Sequence, residues 1–512
     1  MIRLYIISLC FIIGTGTACA NDTTRISRID TTGLRERIRI NNAPVSLFTD
    51  VFYNSPALKY FARNNSLTQL SLGFNQYKQD LYQVQKGSGQ KVFGFEADAY
   101  QKNKKDVVWG NASYQNGKRY QVNWNESSDL QLIYPYVMAD TVGGDLSYEE
   151  YAFSGGYALK LNQTTLGITG KYRALIEYRN IDPRPKNVTS DLEISIGVSH
   201  PVNRAYEIAL GLSARKYTQD NQLKFFSELG GPVVYHMVGM GVANQLLTGN
   251  KLNAFYDGSG SGIQVQLIPM NKNGFFSSFA YNRFSFEKVI RDLQALPVSD
   301  LTATTIKGEF AYLKNNGQNH YGIKASILKE QRIGVESRFD NRGPDNYVKI
   351  SSDKRYRNDR SDLNLAFIYG QQKNKDLSWT VNANLGLLSN ETQYIEPTRS
   401  MEFSAIHTTI DAQFSLPAGQ SLIQAGAGFT LLRNTKGTKS WPDLVSASAA
   451  QQMLLTNFAY LTSNYNQLNL FLRWDRPMIK GMGVFLKSNW EHTTFDSFHK
   501  GNQCILSAGI TF

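Results

Sequence analysis

Cysteine is rare: three residues in 512, which excludes a disulfide-stapled scaffold. Charge is sparse too, at 19% of the chain against about a quarter in ordinary soluble domains. No apolar run reaches the roughly 18 residues that a membrane-crossing helix needs. Histidine is limited to six residues, so a catalytic or metal centre has few imidazoles to draw on. Aromatic residues, by contrast, are plentiful, with 28 Tyr and 28 Phe. Few charges combined with many aromatics is not the composition of a disordered chain. The balance of 54 basic and 42 acidic residues leaves a formal charge of +12, spread without a compact basic patch. Nucleic acid is therefore not an indicated partner.

Residues 1–20 read as a secretory signal peptide. Arg3 is the positive start, Leu4 to Ile13 the short apolar core, and Ala18-Cys19-Ala20 the small-residue cleavage site. The mature chain then starts at Asn21. Cleavage before Cys19, as in a lipoprotein, is the alternative, although the bulky apolar residue of that signal is missing. Cut after Ala20, the chain keeps Cys504 alone, without an internal disulfide partner.

From about residue 66 to the end, period-two alternation dominates. Leu166, Ile168, Tyr172, Ala174, Ile176 and Tyr178 share one face of a strand. Lys171, Arg173, Glu177 and Arg179 share the other. Leu377, Trp379, Val381, Ala383, Leu385 and Leu387 alternate with Ser378, Thr380, Asn382, Asn384 and Gly386. Ile406, Ile410, Phe414 and Leu416 alternate with His407, Thr409, Asp411, Gln413 and Ser415.

Short connections are expected at 115–118, 162–163, 315–317, 373–375 and 417–419. Asn116-Gly117 is the strongest hairpin signal, because a type I′ turn needs positive φ at both central residues. Long connections are expected near 126–150, 180–190, 218–258, 288–301, 333–361, 389–400 and 433–465. Short turns at one end and long loops at the other are the signature of an outer-membrane barrel.

These patterns predict an all-β fold, a transmembrane antiparallel β-barrel of about 18–20 strands over 66–512. A soluble sandwich or propeller would alternate as well, but would not need apolar residues facing outward. Residues 21–65 do not alternate and form an N-terminal extension: a periplasmic tail, a plug entering the lumen, or a further strand. The final alternation ends at Phe512, an aromatic terminus of the kind read as the barrel-insertion signal by the assembly machinery. Trp474, Trp490 and Phe512 are expected in the interfacial girdles.

One stretch carries more than alternation. Trp109-Gly110-Asn111-Ala112-Ser113-Tyr114 is followed by Tyr134-Pro135-Tyr136, Gly143-Gly144-Asp145-Leu146 and Phe153-Ser154-Gly155-Gly156-Tyr157. Tyr172-Arg173, Glu177-Tyr178-Arg179 and Asp182-Pro183-Arg184-Pro185 complete it. It resembles an uncharacterised family of Bacteroidetes outer-membrane β-barrel proteins of about 500 residues. The resemblance implies an outer-membrane barrel and brings no substrate, activity or ligand. Asn54-Ser55-Pro56-Ala57 is also similar to the Asn-Pro-Ala element of fatty-acid-transport barrels, with Ser55 inserted.

Lys171, Arg173, Glu177, Arg179 and Arg184 are the candidate lumen and selectivity residues, since basic rings bias a pore toward anions. Pairing of Glu177 with a neighbour, and a watery lumen tolerant of any polar residue, are the plainer account. His492, Asp496 and His499 are candidate metal ligands, of a type that suits Zn or Cu. A solvated polar loop is the plainer account, and no metal site is assigned. His236, Met237 and Met240 read as loop packing more readily than as an iron site. His407 and Asp411 stand ~13 Å apart along a strand. No Gly-x-Ser-x-Gly elbow occurs, so no enzyme and no cofactor is expected.

The expected function is a channel or uptake barrel for a small polar or amphiphilic solute. The alternatives are a surface-binding or assembly barrel with a plugged lumen and, less favoured, an outer-membrane lipid-modifying enzyme. The expected partners are outer-membrane lipid and lipopolysaccharide, whose phosphates suit paired Arg donors.

Overall fold

The structure is a computed structural model that describes residues 33–227, 231–249, 253–341, 347–373, 377–478, 481–496 and 498–512. The signal-peptide region lies outside the described residues. Strands in the first half are β1 (Leu67–Gln79), β2 (Gly89–Lys102), β3 (Asp106–Val122), β4 (Met138–Ala139), β5 (Gly144–Leu161), β6 (Thr164–Tyr178), β7 (Arg184–Pro201), β8 (Tyr206–Lys224), β9 (Tyr235–Gly239), β10 (Val242–Ala243) and β11 (Ala254–Pro269). Those in the second half are β12 (Gly274–Ile290), β13 (Leu296–Asn315), β14 (Asn319–Asn341), β15 (Tyr347–Lys373), β16 (Leu377–Tyr394), β17 (Arg399–Ala418), β18 (Ser421–Ser440), β19 (Tyr465–Pro477), β20 (Gly483–Phe495) and β21 (Lys500–Thr511).

Among the described residues, eighteen of these strands form one antiparallel sheet, and β4, β9 and β10 form a small separate sheet. β1 pairs with both β2 and β21, so the large sheet closes on itself. Closure leaves no exposed strand edge, the condition for a sheet to survive in lipid. The outward faces carry Leu72, Ile196, Ile323, Leu385, Phe414 and Leu486, all exposed. Their strand neighbours, such as Ser195, Asn384 and Gln413, point inward. That inside-out arrangement makes the molecule a transmembrane barrel. Trp490 and Phe512 are among the exposed aromatics. The Phe512 N–H donates to Thr68 O at 2.8 Å across the closing seam.

Alternate connections lie at opposite ends. Asn162-Gln163, 316–318 and 419–420 are tight turns at the end where Phe512 lies. Two expectations are corrected. Asn116-Gly117 is not a turn: both residues lie inside β3, paired with β2 and β5. Gly117 is needed there because a Cβ would sit 2.6 Å from the Tyr148 ring. The regions 180–190, 288–301, 333–361 and 389–400 are largely strand, with connections as short as 179–183 and 395–398. Beyond the lipid the outward face turns polar as well, so hairpins continue without the apolar period. The expected turn 373–375 falls partly outside the described residues.

Both ends of the lumen hold inserted segments. At the short-turn end sit α1 (Leu34–Asn41), α2 (Pro44–Thr49) and α3 (Lys59–Ala62). Phe52, Tyr53 and Leu58 from this segment pack with Ala209, Ile268 and Phe276 of the barrel. At the long-loop end, α4 (Leu130–Ile133), β4, β9, β10 and α5 (Ala449–Leu461) lie in the connections 123–143, 225–253 and 441–464. Ile133, Tyr136, Met138, Val234, Met240 and Leu454 belong to one apolar cluster there.

Candidate functional site

Between the two fillings the lumen has two unlike walls. The first is charged. Alternation on β6 turns Lys171, Arg173 and Glu177 inward, and Arg179 follows at the long-loop end. Lys171 Nζ donates to Glu193 Oε1 at 2.8 Å. Arg173 donates to both oxygens of Asp129, at 2.6 and 3.1 Å, and to Glu150 at 3.3 Å. Glu177 accepts from Arg119 at 2.7 Å and from Ser128 at 2.6 Å. Arg215 makes a two-pronged pair with Asp191 at 2.7 and 2.8 Å. Such forked pairs hold the guanidinium plane as well as its charge.

Two of these partners, Asp129 and Ser128, sit on the connection 123–143, and the others on neighbouring strands. Arg179, buried, donates to Asp140 at 2.5 Å and to Glu126 at 3.4 Å. Asn187 and Asn221 donate to Glu126 O at 2.8 and 3.0 Å. The Tyr256 hydroxyl donates to Tyr136 O at 2.8 Å. Burial pushes the Glu126 carboxyl well above its ordinary range, with Asp140 beside it adding to the effect. Burial works against Asp140 as well, but the hydrogen bond from Glu126 and the Arg179 charge hold it below its usual value. Glu126 and Asp140 thus share the Arg179 guanidinium, the first carboxyl raised and the second lowered.

The sequence-selected basic residues are thus engaged by carboxylates. Arg173, Glu177 and Arg179 converge on one inserted segment. Arg184 stands apart: it donates to Asp182 at 2.8 Å, with its guanidinium 4.0 Å from the centre of the Phe226 ring.

The second wall is uncharged along β16. Its inward positions are Ser378, Thr380, Asn382, Asn384, Asn390 and Thr392, interrupted by Gly386 and Leu388. Neighbouring inward residues are mostly of the same kind: Thr409, Gln413 and Ser415 on β17, and Gln424 and Thr430 on β18. Charge enters at the neighbouring strands: Asp411 on β17 accepts from Asn382 Nδ2 at 2.7 Å, and on β15 Arg360 pairs with Asp362 at 2.8 Å. Asn382 Oδ1, Asn384 Oδ1, Ser415 Oγ and Gln424 Oε1 are buried without a partner.

Two cavities fill the space between the walls. One, of about 570 Å³, lies against Arg119, Arg173, Arg215, Asp191, Tyr77 and Tyr460. The other, of about 480 Å³, lies against Tyr134, Tyr356, Asn358, Asn390, Thr392 and Phe403. They share Gln83, Gln85, Lys86, Leu130 and Gln131, so α4 and the β1–β2 connection stand between them. A third gap of about 80 Å³ opens beside α2, lined by Ser378, Thr380, Gln413, Ser415 and Gln424.

The candidate metal ligands do not converge. His492 lies on β20, its Nδ1 2.8 Å from Asn502 Oδ1 and its ring stacked on Trp490. Asp496 accepts from Asn464 at 2.5 Å. Among the described residues no group of three His, Cys, Asp or Glu side chains is placed to hold an ion. His236 is buried opposite Met138, with both ring nitrogens unpartnered. The neutral wall was readable from alternation alone. Nothing in the sequence signalled its unpaired oxygens.

A model described as a family of unknown function (DUF6850) matches residues 56–512. No curated protein matches the chain. Among solved structures, the siderophore receptor PiuA from Acinetobacter baumannii is similar at 8% identity and a TM-score of 0.41, over 88% of this chain and 82% of that one. BauA, the ferric preacinetobactin receptor from the same organism, has 8% identity and a TM-score of 0.39, over 88% and 80%. OccK11 (OpdR) from Pseudomonas aeruginosa has 9% identity and a TM-score of 0.31, over 87% and 96%. Likeness this faint carries nothing about substrate.

Proposed function

The chain belongs to DUF6850, a family of unknown function, and from its geometry we propose that it is an outer-membrane barrel that takes up a small polar solute through a gated lumen. The observation that carries this reading is the pair of cavities, about 570 and 480 Å³, left in the lumen beside the inserted 123–143 connection and bordered by Arg119, Arg173, Asn390 and Thr392. A barrel serving only as a scaffold has no need of chambers bordered by charged and amide side chains. Residues 33–66 act as the periplasmic plug, and the 123–143 connection acts as the outer one. A cleaved signal peptide delivers the chain across the inner membrane, and Phe512 addresses it to the barrel-assembly machinery. Outer-rim Lys and Arg meet lipopolysaccharide phosphates. No catalytic role is assigned.

The plug is held by features that a gate requires. Gly167 faces it so closely that a Cβ would lie 2.4 Å from the Pro56 backbone, and Gly197 meets Ser55 in the same way. Lys272 donates to Ala62 O at 2.7 Å and Lys324 to Phe48 O at 3.0 Å. With the packing of Phe52, Tyr53 and Leu58, these are side-chain contacts rather than a continuous sheet.

The test is single-channel conductance of the refolded mature chain in a planar bilayer under a salt gradient, beside a Gly167→Val variant. A low or flickering conductance that rises in the variant is the expected result. Silence in both favours the second reading, a surface-binding or assembly barrel. The apolar cluster that fills the long-loop end is the observation on that side.

A further inference from the structure

The inner face of β16 borders two of the cavities, one toward each end of the strand. Its outer residues, Asn390 and Thr392, line the 480 Å³ chamber. Its inner residues, Ser378 and Thr380, line the 80 Å³ gap beside the N-terminal segment. Asn382 and Asn384 lie between them. The strand therefore presents a ladder of amides and hydroxyls from one filling to the other, with no charged side chain on its inward face.

We infer that this ladder is the solute track, and that its solute is a neutral, hydroxyl-rich molecule of the saccharide class. The inference rests on the uptake reading and adds the substrate class to it.

Four observations support that class. First, buried acceptor atoms stand unpaired on β16 and its neighbours: Asn382 Oδ1, Asn384 Oδ1 and Gln424 Oε1, together with Ser415 Oγ. Each unpaired buried polar atom costs about 1–3 kcal/mol, so a run of them calls for donors from outside the protein. Second, hydroxyl groups supply such donors at close spacing, and waters held there are replaced without loss when the ligand reproduces their bonds. Third, most charges that border the chambers are already matched. Arg173, Arg215 and Lys171 on the opposite wall pair with carboxylates, as do Arg332 with Glu330 and Arg360 with Asp362 at the outer chamber, and β16 offers no counter-charge. Fourth, the outer chamber is edged by Tyr134, Tyr356 and Phe403. Aromatic faces of this kind pack on the apolar side of a sugar ring while its hydroxyls reach the amides.

The test uses the full mature chain, refolded and checked for heat-modifiable mobility. Isothermal titration with maltotriose, cellotriose and chitotriose is compared with citrate and triglycine. Saccharide binding without citrate binding is expected. Asn384→Leu should weaken it by about tenfold or more, the loss of one or two ligand hydrogen bonds. Asn384→Ser should recover part of the loss, and Lys171→Ala on the charged wall should leave saccharide binding unchanged. Binding of citrate or triglycine in place of saccharides overturns the inference, and so does an absence of saccharide binding. Conductance of the same preparations separates the two readings. Ion conduction without saccharide binding leaves the uptake barrel standing and removes its substrate class. Saccharide binding by a barrel that stays silent keeps the substrate class and removes transport.

Discussion

The lumen of this barrel has two walls built on the same pleat, and they differ in how completely their polar atoms are paired. On β6 and its neighbours nearly every charge has a partner, some across strands and others on the inserted 123–143 segment: Asp129 on Arg173, Ser128 on Glu177, and Glu126 and Asp140 on Arg179. Along β16 the inward side chains are neutral, and across β16 to β18 several acceptors have no partner. A paired wall holds something already present. An unpaired wall awaits something that arrives. On the proposed uptake reading, the difference divides the lumen into a part that fixes a gate and a part that meets a solute.

The largest effect that tests this division is expected from Arg179→Ala. Removing one partner from a buried ionic cluster strands the other charge and costs about 3–5 kcal/mol. Asp140 would remain buried and charged. The 123–143 segment should come free while the barrel keeps its closure. Limited proteolysis should then cut within that segment, with heat-modifiable mobility unchanged. If the segment stays protected, the charged wall is not what holds it.

Gly167→Val comes next. The added side chain meets plug backbone rather than a flexible tip, as the 2.4 Å approach to Pro56 indicates. Overpacking of this kind costs about 1–3 kcal/mol. The strain is relieved by displacing residues 33–66, so conductance should rise and the barrel should stay folded. Unfolding of the barrel instead would mean that the segment is part of its core.

A pH series sharpens the same contrast at smaller amplitude. The carboxyl of Glu126 is raised by burial and by Asp140 beside it. Its contribution to stability is therefore fully present below the ordinary carboxyl range, and is lost as pH rises through its raised value. Asp140 is held low, so its contribution is present above the ordinary carboxyl range and lost as pH falls through the depressed value. Protease access to 123–143 should increase on the alkaline side, and Glu126→Gln should abolish that limb. A flat alkaline limb in the wild type would show that Glu126 is ionised at neutral pH.

Much of the barrel was legible in the sequence, because period-two alternation with apolar residues outward has few other solutions. Asn382, Asn384 and Gln413 were already assignable to an inward face. The Asn116-Gly117 hairpin was misread because the signal is local, whereas this glycine makes room for the Tyr148 ring on an adjacent strand. The long loops were overestimated because strands outside the lipid lose the apolar half of their pattern. The partners of Arg173 and Arg179 were illegible, since Asp129 and Asp140 lie some 40 residues earlier and arrive only when the connection folds inward. That the N-terminal segment lies inside the barrel depends on the same kind of long-range contact.

The smallest expected effect separates an unpaired atom that awaits a ligand from one that is merely costly. His236 resembles the neutral wall, since neither ring nitrogen has a partner. It is 1% exposed, however, and neighbours Met138 and Met237 in the apolar filling rather than a cavity. Burial, with the nearby Lys288 charge, lowers its pKa well below the ordinary value, so the ring stays neutral. Replacement by Leu removes the buried polar atoms and keeps much of the volume, and should be neutral or stabilising by about 1 kcal/mol. Thermal unfolding of His236→Leu should show no loss, and its saccharide binding should match the wild type. Asn384→Leu should do the reverse, keeping its melting temperature and losing the ligand. If His236→Leu instead destabilises the filling, its ring has a partner such as a bound water. The lack of a partner would then no longer be enough to mark the solute-facing wall, and the cavity beside it would have to carry that distinction.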